Sequence, residues 1–159
     1  MEVVRNDMHD DSGMTLDIFK AKDVSLEPSS GTILLVDDDP DIRSLTKTFL
    51  EHEGYRVYSS GDAGRAAQIF RSAPKIDLLV TDLYMPHRSG MELAIELKGL
   101  RSELPVLMVS GGQVDGSQKT RLQEEGWSFL AKPFRLPELL ATVHRILAPM
   151  EGRRFKEAM

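Results

Sequence analysis

The sequence predicts an α/β fold in which a doubly wound parallel sheet of five strands is covered by helices on both faces. From Thr32 onward, short apolar runs alternate with stretches whose apolar residues recur at helical spacing. Five strands that alternate with five helices require repeated right-handed crossovers, which bury the sheet between two helical layers. The chain has 159 residues, of which 41% are hydrophobic, so it is long enough for one domain with its own core.

The predicted strands are apolar runs that end in polar or turn-forming residues. Runs of this kind are typical of strands that are buried on both faces. In chain order they are predicted at residues 32–36, 55–59, 77–81, 104–109 and 127–131.

The predicted helices lie between and after these strands. The first is marked by Ile42, Leu45, Phe49 and Leu50 at helical spacing, and Gly54 is expected to stop it. The second and third are predicted at residues 62–72 and around 91–100.

The last two helices differ in how clearly the sequence marks them. The fourth follows a glycine-rich stretch at residues 111–116 and has little apolar periodicity beyond Leu122, so we expect it to be the most loosely packed. The fifth is predicted at residues 136–148, because Pro137 suits a first turn and Pro149 is expected to end the helix.

The composition argues against several classes of protein. The chain has no cysteine, which excludes disulfide scaffolds, thiol nucleophiles and zinc sites with cysteine ligands. No apolar run approaches the length of a membrane span, and no signal peptide is visible. The net charge is −5 without a basic stripe, so we expect no binding to nucleic acid. The sequence predicts a cytoplasmic protein that does not enter membranes.

Residues 1–30 differ in composition from the rest of the chain. They hold three basic and seven acidic side chains, and they end in Pro28, Ser29 and Ser30, which with Gly31 form a stretch that is typical of a linker. We therefore predict an acidic, disordered tail at residues 1–30, a single domain at residues 31–148 and a short C-terminal tail at residues 149–159.

Polar side chains follow four of the five predicted strands. These residues are Asp37, Asp38 and Asp39 after the first strand, Asp82 at the end of the third, Ser110 after the fourth and Lys132 after the fifth. Because the carboxyl ends of parallel strands meet at one edge of the sheet, we expect one pocket there. Asp39 precedes a proline and a helix, which is typical of a helix cap.

This set of residues suits phosphoryl transfer. Crowded carboxylates repel one another unless a cation binds or a proton is retained, and hard oxygen ligands favour Mg²⁺. A carboxylate can attack phosphorus to form an acyl phosphate, and the attack needs a fixed cation, here Lys132, to balance charge on the phosphoryl oxygens. Ser110 could donate a hydrogen bond to the attached group, and Gly111 would leave room for it.

At this point the residues resemble the receiver domain of bacterial two-component response regulators. The resemblance covers residues 31–148 and depends on four motifs: Ile33-Leu34-Leu35-Val36-Asp37-Asp38, Asp82-Leu83-Tyr84-Met85-Pro86 followed by Gly90, Val109-Ser110-Gly111, and Phe129-Leu130-Ala131-Lys132-Pro133-Phe134. It implies a flavodoxin-like fold with the strand order 2-1-3-4-5.

The resemblance also implies an acceptor and a metal site. Asp82 would be the phosphoacceptor. Mg²⁺ would be bound by Asp38 directly, by Asp37 through water, by Asp82 and by the main-chain carbonyl of Tyr84.

The remaining implied roles concern the phosphoryl group and a conformational switch. Lys132, Ser110 and Gly111 would contact the phosphoryl group, with a cis peptide bond before Pro133. Ser110 and Phe129 would form the switch that changes the surface of the fourth helix, fifth strand and fifth helix.

The implied partners are a sensor histidine kinase or phosphotransfer protein and an unidentified downstream protein. The chain would not be an enzyme beyond its own phosphorylation and dephosphorylation, and it would be a monomer or a phosphorylation-linked dimer. Residues 149–159 are too few for an output domain, so we expect output through protein contact. A receiver fragment of a hybrid histidine kinase is an alternative.

Other functions fit the sequence less well. A haloacid-dehalogenase-type phosphatase could begin with Asp37 and Asp39, but its later acidic pair on a following strand is missing. A calcium loop starting at Asp37 fails because Ile42 and Thr48 stand where glycine and glutamate are required. A binding module that keeps the fold without phosphorylation is a further alternative.

Overall fold

The computed structural model describes residues 30–158, and the side chains of residues 30–148. The predicted tail at residues 1–30 lies outside this part of the chain, except for Ser30. The described strands are β1 Thr32–Val36, β2 Arg56–Ser60, β3 Leu78–Asp82, β4 Val106–Ser110 and β5 Ser128–Ala131. The described helices are α1 Pro40–His52, α2 Ala63–Ser72, α3 Gly90–Leu100, α4 Gly116–Glu125 and α5 Leu136–Ala158.

The strands form one parallel sheet in the order β2-β1-β3-β4-β5. This confirms the predicted fold class and strand order. The order reverses between β1 and β3, and it is beside such a reversal that parallel sheets of this kind bind ligands.

Helices cover both faces of the sheet. Successive residues of a strand point to opposite faces, so Leu34 joins the apolar cluster beneath α2, α3 and α4, whereas Ile33 and Leu35 join the cluster beneath α1 and α5. All three side chains are buried. The two clusters are the cores that the alternating pattern predicts.

Helix α1 begins and ends where its sequence signals predict, but its buried face differs from the apolar pattern. Ile42 and Leu45 are 38% and 60% exposed, whereas Thr46 and Leu50 are buried. Ile42 lies in the first turn, where it lines the cavity at the carboxyl edge of the sheet instead of packing on the strands. Gly54 follows the helix with a φ of 106°, which favours glycine.

The last two helices can be compared with their predicted packing and length. Helix α4 buries one residue, Leu122, in agreement with its weak apolar pattern. Helix α5 continues through Pro149 to Ala158, so the predicted end at residue 148 is wrong. A proline removes one helical hydrogen bond, but the residues that follow are mostly good helix formers. Within residues 30–158 no helix combines the length and apolar character needed to cross a bilayer.

Candidate functional site

The register of β1 and β3 brings three carboxylates together at the carboxyl edge of the sheet. Val36 pairs with Thr81, so the residues that follow them, Asp37 and Asp82, are neighbours. These two side chains are buried, and Asp38 beside them is exposed. One carboxylate oxygen from each of the three lies within 4.8 Å of the others. The structure therefore gathers the predicted acidic residues at one point.

Lys132 reaches the same point from the end of β5. Its ammonium group donates to Asp82 Oδ1 at 2.9 Å and to Asp37 Oδ2 at 3.2 Å. Its main-chain N–H donates to the carbonyl of Ser110 at 2.8 Å, which ties the end of β5 to the end of β4. The peptide bond between Lys132 and Pro133 is cis.

The acidic groups and Lys132 change one another's ionisation. The pKa of Asp82 is raised from 3.8 to about 7, chiefly by burial; the neighbouring carboxylate of Asp37 also raises it, whereas the ammonium of Lys132 lowers it. Burial alone would lower the pKa of Lys132, but Asp82 and Asp37 together raise that pKa above its ordinary value. Without a bound cation, Asp82 is therefore partly protonated near neutral pH.

Asp39 has a structural role in the loop that carries the acidic residues. Its carboxylate accepts from the main-chain N–H groups of Asp41 at 2.9 Å and Ile42 at 3.2 Å, which caps α1 as predicted. Its own N–H donates to Asp37 Oδ1 at 2.9 Å. The cap of α1 and the orientation of the Asp37 side chain are thus linked.

Arg43 also contacts this loop, and sequence reasoning missed it. Its guanidinium donates to the main-chain carbonyl of Asp37 at 2.6 Å. A basic residue in the first turn of a helix lies at the positive end of the helix dipole, which is unfavourable without a partner. That position was a signal in the sequence that Arg43 has a specific contact.

The end of β4 supplies the predicted hydroxyl group. Ser110 is buried, and its Oγ accepts from the N–H of Gly112 at 3.0 Å. Ser110 lines the same cavity as the carboxylates, as do both glycines that follow it. A methyl group at Gly111 would be 3.6 Å from the Lys132 Cβ, an ordinary contact, so this glycine leaves space without being required by its protein neighbours.

Tyr84 forms another wall of the cavity and connects it to α4. Its hydroxyl donates to the carbonyl of Gln113 at 2.6 Å and lies 3.1 Å from Oε1 of Gln118, in the first turn of α4. Its ring packs over Gly112, where a Cβ would be 3.2 Å from Tyr84 Cε2. The loop after β3 and the loop after β4 are therefore in direct contact.

Gly90 has a strict steric role behind the site. A Cβ at this position would lie 2.0 Å from the main-chain oxygen of Asp82, and the N–H of Gly90 donates to the carbonyl of Leu83 at 2.8 Å. No side chain fits there, because the backbone at the end of β3 would have to move. The glycine of the second motif thus supports the position of Asp82.

The acidic residues, Lys132, Tyr84, Ser110 and the two glycines that follow it line an open cavity of about 330 Å³. Three convergent carboxylates are hard oxygen donors, and the space leaves room for waters and a phosphate, so the site fits Mg²⁺. Phe129 is not among the lining residues; it lies on β5 and is 38% exposed.

Comparison with known proteins gives a consistent result. Residues 33–144 match the sequence model of a family described as the response regulator receiver domain. The chain is 36% identical to the response regulator GtcR of Aneurinibacillus migulanus over 116 residues, which cover 72% of this chain and 46% of GtcR. It is 33% identical to the DNA-binding transcriptional regulator NtrC of Bradyrhizobium sp. (strain RP501 Parasponia) over 126 residues, 78% of this chain and 26% of that protein.

The chain therefore spans about half and about a quarter of the length of these two curated relatives. Among solved structures, the non-phosphorylated HemR receiver domain from Leptospira biflexa is similar with a TM-score of 0.68 and 32% identity. That match covers 74% of this chain and 94% of the HemR chain.

Proposed function

Because the chain belongs to the family of response regulator receiver domains, we propose that it is a signalling switch in which Asp82 accepts a phosphoryl group. Receiver domains serve phosphorylation-dependent signalling and are not enzymes in the ordinary sense. One observation carries the choice of Asp82: it is a buried carboxylate, 7% exposed, at the end of β3, 2.9 Å from the Lys132 ammonium.

The donor in this proposal is a phosphohistidine of a sensor histidine kinase or a phosphotransfer protein. A carboxylate oxygen of Asp82 forms a bond to phosphorus, the bond from phosphorus to the imidazole nitrogen breaks, and its electron pair stays on that nitrogen. Lys132 and the hydroxyl of Ser110 then bind phosphoryl oxygens, with Gly111 leaving space for them. The carboxylate of Asp82 must be unprotonated to attack.

The carboxylates would hold Mg²⁺ beside the acceptor. Asp38 and Asp82 would supply carboxylate oxygens directly, Asp37 would act through a water molecule, and the third direct protein ligand in this assignment is the main-chain carbonyl of Tyr84. The cation supplies positive charge that offsets the carboxylates and the incoming phosphoryl oxygens.

The wider assignments are part of the same proposal. The receiver domain comprises residues 31–148, and its signal reaches a downstream protein through the surface of α4, β5 and α5, with the domain as a monomer or a phosphorylation-linked dimer.

The phosphatase alternative needs a further acidic pair at the site, whereas the acidic group able to hold a metal among residues 30–148 consists of Asp37, Asp38 and Asp82.

Chemical labelling tests the acceptor. The protein is incubated with acetyl phosphate and Mg²⁺, and the acyl phosphate is trapped and mapped. Label is expected at Asp82, and it should be lost in Asp82→Asn and after chelation by EDTA. Asp39→Asn is the matched control, because asparagine also caps helices and the label should remain. Full labelling of Asp82→Asn would contradict the proposal.

A further inference from the structure

Arg43 holds the main chain of Asp37 from α1. The hydrogen bond from its guanidinium Nη1 to the carbonyl of Asp37 is 2.6 Å long. Hydrogen bonds from a charged donor are about twice as strong as neutral ones. On the other side, the N–H of Asp37 donates to the carbonyl of Ser60 at 3.1 Å. Both main-chain groups of Asp37 are therefore hydrogen-bonded. Arg43 binds the carbonyl, which leads into the rest of the acidic loop, residues 37–39.

Gly61, which directly follows β2, leaves the space that the guanidinium occupies. A Cβ at Gly61 would lie 2.8 Å from Arg43 Nη1 and 3.5 Å from its Cζ. A contact of 2.8 Å forces a shift, and the group that can shift is the end of the long arginine side chain. Gly61 is not among the described glycines with positive φ, so its backbone conformation does not require glycine. The contact with Arg43 is the steric demand at this position.

We propose that Arg43 is a positioning residue that orients the acidic loop for the cation, and that the absence of a side chain at Gly61 leaves space for the Arg43 guanidinium. The inference rests on the proposed function for the identity of the cation. A chain of hydrogen bonds connects Arg43 to the loop. Arg43 donates to the carbonyl of Asp37, Oδ1 of Asp37 accepts from the N–H of Asp39, and Asp39 caps α1. Partners of metal ligands commonly change metal affinity about 10-fold to 100-fold when they are removed.

A purely electrostatic role for Arg43 predicts the opposite sign. A guanidinium near the carboxylates repels a divalent cation, so displacing it would strengthen Mg²⁺ binding, and salt would weaken that effect. A positioning role predicts weaker binding at both low and high salt. The direction of the change therefore separates the two roles.

Gly61→Ala is the decisive variant, because it displaces the guanidinium and keeps every charge. Mg²⁺ affinity measured by calorimetry should fall about tenfold at low and at high ionic strength. Arg43→Lys keeps the charge but loses the planar fork, and should have a similar effect. The double variant should be no weaker than either single variant, because both remove one interaction.

Gly64→Ala is the matched control, since Gly64 lies three residues after Gly61 in the first turn of α2. A Cβ there would meet Asp62 Oδ1 at 3.5 Å, an ordinary contact, so Mg²⁺ affinity should equal that of the wild type. A second readout needs no metal: the amide of Asp39, bonded to Asp37 Oδ1, should lose protection from hydrogen exchange in Gly61→Ala and Arg43→Lys.

The outcomes separate this inference from the proposed function. If the wild type binds Mg²⁺ and both variants keep its affinity, the positioning role is wrong. If the wild type binds no Mg²⁺, the proposed metal site is wrong, and the exchange of the Asp39 amide decides the role of Arg43 alone. Unchanged protection in both variants then overturns the inference, whereas lost protection supports it.

Discussion

At the scale of single residues, Asp82 makes the stability of the protein depend on pH in an unusual direction. Its pKa rises from 3.8 to about 7 in the folded protein, mainly through burial. The folded state therefore binds this proton more tightly than the unfolded state does. The resulting stabilisation is present at low pH and is lost as the pH rises toward about 7, opposite to the usual behaviour of an aspartate.

This sign can be tested with Asp82→Asn, which removes the buried charge. Relative to the wild type, the variant should gain stability as the pH rises from about 4 to about 7. At the upper end of this range we expect the free energies of unfolding to differ by an amount on the order of 1 kcal/mol. The gain is limited because the variant also loses the ion pair with Lys132. Urea unfolding of both proteins across this range measures it without Mg²⁺. A difference that does not change with pH would show that Asp82 ionises normally.

His87 has a backbone conformation that favours glycine. It is exposed in the loop after β3 and has a φ of 74°. For a residue with a Cβ, this left-handed backbone conformation is less favourable than the right-handed one by roughly 1–2 kcal/mol. His87→Gly should therefore raise the free energy of unfolding by up to about 1 kcal/mol, since glycine also loses more entropy on folding.

Gly126 provides the reverse control for that prediction. It ends α4 with a φ of 72°, and a Cβ there would meet nothing within 4 Å. Gly126→Ala should lower the free energy of unfolding by about 1 kcal/mol for conformational reasons alone. Urea unfolding of both variants checks the pair, and a loss of stability in His87→Gly would contradict the account.

At the scale of elements, α4 is held mainly by polar contacts at its two ends. Its first turn meets the hydroxyl of Tyr84 through Gln118, and its last residue, Glu125, pairs with Lys98 of α3. It buries only Leu122. Segments with few buried contacts open at low free energy, so α4 is well suited to move when the site changes.

Hydrogen exchange tests whether Ser110 connects the site to this element. Beryllofluoride with Mg²⁺ serves as the phosphoryl mimic, and protection of residues 110–130 should change in the wild type. The change should be smaller in Ser110→Ala, because in the proposed function the Ser110 hydroxyl is the group of β4 that binds the phosphoryl oxygens. An equal change in both proteins would remove Ser110 from the proposed switch with Phe129.

At the scale of the whole molecule, cation binding should stabilise the entire domain. A ligand that binds only the folded state adds about 2.7 kcal/mol at 100 times its Kd. Mg²⁺ should therefore raise the unfolding temperature of the wild type in a concentration-dependent way. Asp38→Ala should reduce this rise and leave the metal-free domain at least as stable, because one of the crowded carboxylates is gone. An undiminished rise in Asp38→Ala would place the cation elsewhere.

The fold class could be predicted from the sequence, because the period of apolar residues is a local property. Alternation along β1 assigns Leu34 and Leu35 to opposite faces, and the structure places them in different clusters. The cap at Asp39 and the glycine after α1 were also readable, since each depends on a few neighbouring residues. The acidic residues could also be predicted to lie together, because each follows the carboxyl end of a predicted parallel strand.

The hydrogen bonds between distant residues and the exposure of each helix face became visible in the three-dimensional structure. The strand ends predicted that Lys132 shares a pocket with Asp37, but not that its ammonium donates to that carboxylate from 95 positions away. Arg43 depends on space at Gly61 in another loop, which no sequence pattern indicated. Ile42 is apolar and yet exposed, because its turn of α1 lies beyond the end of the sheet. Such features depend on strand register and on packing between distant segments, and a local pattern contains no information on either.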